Sequence, residues 1–349
     1  MTSKFWRKRV KQLKSVFPCT HFKRRLKTVE NAHDLGVFAL DKITVVVHQH
    51  VTEKDCMGIS LGAIRDNDGG RQGFTHRFLY KSHEYQFFQD RGRNRCFHFN
   101  PRLGFTNFSS FTDYVQEVIG KREYHITRVD FAFYLKKTLF SVDFLFWSAW
   151  VSGIGIKDVR PKAYLNPIVG RLNRSRLQSL EIGHMPTAYC IYDCDAHNLN
   201  KNRAQSSEVN GMINMEVQHR TAALRRLGIC SLTDLKQINF MHVLEKIEFY
   251  EPSVAAIKNT KFESYKDTWM QKGLIHFARQ AHQQTHDHDQ LRSVLNPVQV
   301  GRQSLKHALA ELSQREHDAF IKGNVNERRF GIKSVAYEYL RMPPLFALP

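Results

Sequence analysis

Asp130, Tyr192 and Glu216 are the residues of this 349-residue chain whose types could do chemistry together. Each falls in a short segment that reads as a β-strand, at 124–135, 187–194 and 212–220. Two carboxylates on strands supply oxygen ligands for a hard divalent cation, and a phenol is a nucleophile that can attack phosphorus. On a chain of formal net charge +19, the combination points to DNA cutting through a covalent tyrosine link.

The strands that must position these groups show two distinct faces, because side chains alternate. On the first, Val129, Phe131, Phe133 and Leu135 are apolar, while Arg128, Asp130 and Ala132 lie opposite. On the third, Met215, Val217 and His219 oppose Asn214, Glu216, Gln218 and Arg220. An aspartate in mid-strand runs against β propensity, and such exceptions are functional or salt-bridged. For either carboxylate alone, an ion pair with Arg128 or Arg220 is the simpler account.

The composition suits a folded, polyanion-binding protein. There are 52 Lys and Arg against 33 Asp and Glu, and 42% of residues are hydrophobic, enough for a sizeable core. Residues 1–30 hold ten Lys or Arg and one acid. There Trp6, Val10, Leu13 and Phe17 mark one stripe of a helix whose other faces carry Arg7, Lys8, Arg9, Lys11 and Lys14, a pattern for DNA backbone contact or for a solvated face. The six cysteines form no CxxC, and the expected state is free thiols in a reducing cytoplasm. A zinc site using Cys190 and Cys194, four apart on one strand face, would need His184 and His197 as well. Residues 144–156 carry no charge but are too short to span a bilayer, so a buried helix is expected and no stable membrane insertion.

Residues 36–135 read mostly as strands, at 43–51, within 78–88 around Ser82 and His83, and at 96–101, with a turn at 66–70 and a helix at 110–120. Residues 157–176, with Arg160, Lys162, Arg171, Arg174 and Arg176, read as a basic loop, and 197–210 as a polar one. Beyond Arg220 the stretches 222–228, 232–249, 303–321 and 335–341 read as helices. The expected class is α+β, built on an antiparallel meander.

Three runs, ITRVDFAFYL (126–135), LEIGHMPTAYCIYDCDAHN (180–198) and INMEVQHR (213–220), resemble in order and spacing the motifs of the replication initiation factor family, the rolling-circle Rep proteins of plasmids and filamentous phages. CFHFNPRL (96–103) resembles a further upstream motif. The resemblance covers roughly residues 36–230. It implies an HUH-endonuclease-like antiparallel sheet flanked by helices. Charge and pattern along the chain divide it into a basic arm at 1–35, the region of the resemblance at 36–225, expected to be the nicking domain, and a helical DNA-binding or dimerisation region at 226–349. By the same resemblance Tyr192 is the nucleophile, Asp130 and Glu216 hold Mg²⁺ or Mn²⁺, and the products are a 5′-phosphotyrosine and a 3′-hydroxyl primer. The implied partners are single-stranded or extruded origin DNA, a host helicase and polymerase, and a second copy of the chain, in a bacterial cytoplasm. The family's lysine two residues after the tyrosine is replaced by Cys194, so another cation must serve, with Arg128, Arg176 and Arg220 as candidates.

Two other readings stay open. His48 and His50, spaced by one residue at the end of an apolar strand, could hold a metal as a relaxase-type or transposase-type nuclease does. A non-catalytic DNA-binding regulator would fit the charge equally well. The stretch containing His276, His282, His286 and His288 reads as solvated, although His282 and His286 have helical spacing.

Overall fold

The structure is a computed structural model. It describes residues 25–51, 62–65, 74–81, 83–88, 96–102, 104–152, 159–163, 177–183, 185–200, 209–252, 257–258, 260–265, 274, 277, 280 and 293–324. In chain order the elements begin with β1 (Gly36–Val47), β2 (Gly62–Arg65), β3 (Phe74–Tyr80), β4 (His83–Phe88) and β5 (Cys96–Phe99). Then come α1 (Phe108–Ile119), β6 (Tyr124–Lys136), α2 (Val142–Ser148), β7 (Ala149–Val151), β8 (Val159–Ala163), β9 (Leu177–Gly183) and β10 (Thr187–Asp193). They continue with α3 (Cys194–Asn200), β11 (Met212–Arg220), α4 (Thr221–Arg226), α5 (Phe240–Val243) and β12 (Ile247–Pro252). The last are β13 (Leu295–Pro297), β14 (Gln299–Val300), β15 (Gln303–Ser304) and α6 (Leu305–Lys322).

These elements form two compact units, interleaved along the chain. One comprises residues 1–37, 133–217 and 239–313, and the other 38–132, 218–238 and 314–349. The strands β6 and β11 each pass from one unit into the other.

The second unit is a mixed α/β assembly on an antiparallel sheet of order β2-β3-β4-β5-β1-β6. Its core is aromatic. Helix α1 starts where Asn107 accepts a 2.8 Å hydrogen bond from the Ser110 N–H, a cap worth about 1 kcal/mol. The face it buries carries Phe108, Phe111, Tyr114, Val115, Val118 and Ile119. Phe99 of β5 meets Phe111 and Tyr114 edge-on, at ring centroid distances of 6.5 and 6.1 Å. The Tyr114 hydroxyl donates to the His83 carbonyl at 3.0 Å, which gives the buried phenol a partner. Phe320 packs edge-on against Phe108, and His317 meets the Leu235 carbonyl at 2.7 Å.

The first unit contains the strand order β11-β10-β9-β8 and a small sheet β13-β12-β7. Helix α2 is capped by Ser141, which accepts from the Phe144 N–H at 3.0 Å, and it packs against β9, β10 and β12 with Phe144, Leu145, Phe146 and Trp147 buried. Strand β9 turns into β10 through Gly183, whose φ of +76° lies in the region that favours glycine. Ala188 then pairs with Gly183, Cys190 with Glu181, and Tyr192 with Ser179.

Several expectations are corrected. The strand read at 43–51 begins at Gly36 and ends at Val47, so His48 and His50 lie beyond it. The uncharged run from Phe144 is helical only to Ser148 and continues as β7. The basic loop contains β8, and the polar loop begins as α3. The stretch 232–249 is a 3₁₀ turn (Thr233–Gln237), the short α5 and the start of β12, rather than one helix. The C-terminal region is therefore not wholly helical. The turn at 66–70, the stretch 335–341 and the arm residues Arg7, Lys8 and Arg9 lie outside the described residues. Among the described residues no helix is long and apolar enough to cross a membrane.

Candidate functional site

Tyr192 stands half-buried near the end of β10. Alternation sends Tyr189 and Ile191 into the core and leaves Cys190 and Tyr192 on the other face. The chain then turns into α3, with Asp193 accepting from the Ala196 N–H at 3.1 Å at the helix start. This turn brings His197 back over the tyrosine, with ring centroids 4.6 Å apart and planes 30° apart. From β11, Asn214 donates its Nδ2 hydrogen to the Tyr192 phenolic oxygen at 2.6 Å. Asn214 is fully buried, and its Oδ1 has no hydrogen-bond partner.

Glu216 follows Asn214 by two residues on the same strand and so lies on the same face, itself buried. In the first unit Tyr192 and Glu216 thus lie on the neighbouring strands β10 and β11, with Asn214 of β11, which motif reasoning passed over, bonded to the phenol. The clue was present: Asn214 had been placed on the Glu216 face, but a polar residue there has no distinctive spacing.

A cation lies close by. Lys137, just past the end of β6, donates to Asp193 at 2.5 Å and also to Asp195. Burial opposes its charge, but the hydrogen bonds to the two aspartates outweigh that, and its pKa is raised. The backbone continues the network. The Lys137 N–H donates to the Gly211 carbonyl at 2.9 Å, and the Gly211 N–H donates to Asp195 at 3.1 Å. The carboxylates flanking Cys194 thus take up a lysine from the turn after β6. Cys194 itself is buried and forms no disulfide. It starts α3 rather than ending β10, so it does not share a strand face with Cys190 as the zinc reading required.

Asp130 belongs to the other unit. It is 2% exposed, and its two oxygens accept from Nε and Nη2 of Arg128, each at 2.6 Å. The salt-bridged account of this mid-strand aspartate is thus realised. Among the described residues no group of three or more His, Cys, Asp or Glu could hold a metal ion. Both Asp130 oxygens are thus held by the Arg128 guanidinium.

Other candidates are dispersed. His48 meets His125 at 3.2 Å, with rings edge-on. Partial burial, with His48 and Arg225 adding, lowers the His125 pKa. His48 and His50 lie in an exposed bend, so the strand alternation that would have paired them does not apply. Arg220 ends β11 at the entry to α4. Arg176, His184, His276, His282, His286 and His288 lie outside the described residues. Strand β8 places Lys162 in register with Ser179, the residue opposite Tyr192.

No protein-family model matches this chain, and no curated protein matches it by sequence. Among solved structures, a rolling circle replication initiator protein from Geobacillus stearothermophilus aligns at a TM-score of 0.39 and 12% identity, over 68% of this chain and 98% of that one. A likeness of that degree carries no argument about fold or function.

Proposed function

We propose that this protein is a rolling-circle DNA replication initiator that nicks its origin by attack of Tyr192 on a phosphodiester. The observation that carries the reading is the held phenol. Tyr192 has its ring against His197 and its oxygen at the Asn214 amide, on a chain of net charge +19. The ordered resemblance of the runs around Asp130, Tyr192 and Glu216 to replication initiation factors supports the same reading and with it an HUH-like fold.

The chemistry balances without an external energy source. The phenolic oxygen forms a bond to phosphorus as the bond from phosphorus to the 3′ oxygen breaks. The phenol's proton is lost and the 3′ oxygen gains one, leaving a 5′-phosphotyrosine and a 3′-hydroxyl. One phosphodiester replaces another, so reversal rejoins the strand. The chain's own contributions are orientation of the ring by His197 and a hydrogen bond to the attacking oxygen from Asn214. Mg²⁺ or Mn²⁺ is the cofactor implied by the resemblance, and no step is routed through it. Origin DNA, a host helicase and polymerase, and a second copy of the chain are the proposed partners.

The test uses a supercoiled plasmid carrying the DNA that flanks the coding sequence, with Mg²⁺, Mn²⁺ or EDTA. Wild type is expected to yield open circles with protein on the 5′ end, and Tyr192→Phe to bind without nicking. Equal nicking by the two proteins removes Tyr192 from the mechanism. Binding without nicking by wild type under every condition favours a regulator.

A further inference from the structure

We infer that Asn214 is a positioning residue that stabilises the attacking form of Tyr192, an inference that rests on the proposed nicking reaction. A phenolic oxygen has two acceptor sites and one donated proton. The Asn214 amide fills one acceptor site at 2.6 Å, so the phenol's own proton points elsewhere than at Asn214. As that proton leaves, negative charge builds on the oxygen that the amide N–H already faces. Such a donor strengthens as its acceptor becomes charged.

Two further observations favour this role. Asn214 is wholly buried with its Oδ1 unpartnered, an arrangement that costs stability. Two positions near the phenol do not supply the expected lysine's charge to it. Lys137 is held by Asp193 and Asp195, and position 194 is a thiol. A neutral amide on the adjacent strand therefore supplies the donor where the motif would have used a cation.

The test compares wild type, Asn214→Leu and Asn214→Asp. The leucine variant removes the donor, and the aspartate variant keeps the shape but presents only acceptors. The first readout needs no DNA. Tetranitromethane nitrates phenolate, and peptide mass spectrometry reports Tyr192 nitration relative to Tyr124 as internal reference. Loss of a hydrogen bond to a charged group is expected to slow Tyr192 nitration about 10- to 100-fold in both variants. The second readout is the pH profile of nicking. The variants are expected to lose a similar factor at neutral pH and to regain it as alkalinity ionises the phenol without help. Unchanged or faster nitration overturns the inference, as does a nicking deficit that is constant with pH. If wild type does not nick at all, the proposed function fails while nitration still decides the role of Asn214.

Discussion

Replacing Asp130 with asparagine removes the charge that Arg128 grips, and the structure sets the scale of the consequence. The pair is bidentate at 2.6 Å per contact, with side-chain exposures of 14% for Arg128 and 2% for Asp130. Most of the guanidinium would remain out of water without its counter-ion, and such one-sided removal costs about 3–5 kcal/mol. Against a total stability of about 5–15 kcal/mol, that is a large share. Replacing both partners, as Arg128→Met with Asp130→Leu, strands no charge and should return stability to within about 1–2 kcal/mol of wild type. Urea unfolding followed by tryptophan fluorescence compares wild type, Asp130→Asn and the double variant, and nicking is assayed on the same proteins. A folded double variant that nicks would make Asp130 architectural. A folded double variant that binds DNA but does not nick would give the Arg128–Asp130 pair a chemical role as well. An unchanged urea midpoint for Asp130→Asn would refute the reasoning, because the ion pair would then hold nothing together.

Two further outcomes are expected. Burial, helped by Lys42 and Arg128, pushes His98 down to about 2 while its Nδ1 meets the Thr44 hydroxyl at 2.8 Å. Between its ordinary pKa of 6.5 and about 2 the unfolded chain therefore takes up a proton that the folded chain refuses. The resulting stability is present above pH 6.5 and is lost on acidification by about 1.4 kcal/mol per pH unit. His98→Gln should flatten the fall in urea midpoint between pH 7 and pH 5, and parallel falls for the two proteins would contradict this. Lys137→Met should cost about 1–3 kcal/mol by leaving Asp193 and Asp195 without their shared cation, and should slow nicking by loosening the α3 start beside Tyr192. Lys137→Arg should restore both, measured by the same unfolding and plasmid assays.

Strands with clean alternation were legible. Segments β6, β10 and β11 lie within a residue of the ranges read from pattern, because a two-residue period over seven or more positions leaves little choice. The helix read from Ser110 to Gly120 is α1, displaced at its start because Asn107 is the cap. Short mixed runs were not legible. The stretch 232–249 has helical spacing throughout, yet Ile247 and Phe249 pair with Val151 and Ala149 of β7, a contact almost one hundred residues away in sequence. Helix α3 hides in CDAHNLN, which has no apolar stripe, and owes its start to the Asp193 cap. At the site, residue types pointed to Tyr192 and Glu216, but the Asn214 bond depends on how β10 and β11 come to face one another. Lys137 was overlooked for the same reason, since its partners are 56 and 58 residues further on.

The interleaving of the two units bears on how the chain can be made. In the first unit β7 has its described partner in β12, and Ser152 donates to the Lys246 carbonyl at 2.9 Å, so this part of the core is incomplete until residue 252 has been synthesised. During translation the buried apolar surface of α2 waits for that segment, exposed to whatever else will cover it. Closure over so long a loop makes for slow folding, and a fragment ending near residue 225 would contain neither unit whole. Premature termination near residue 225 should therefore yield aggregates rather than a folded fragment.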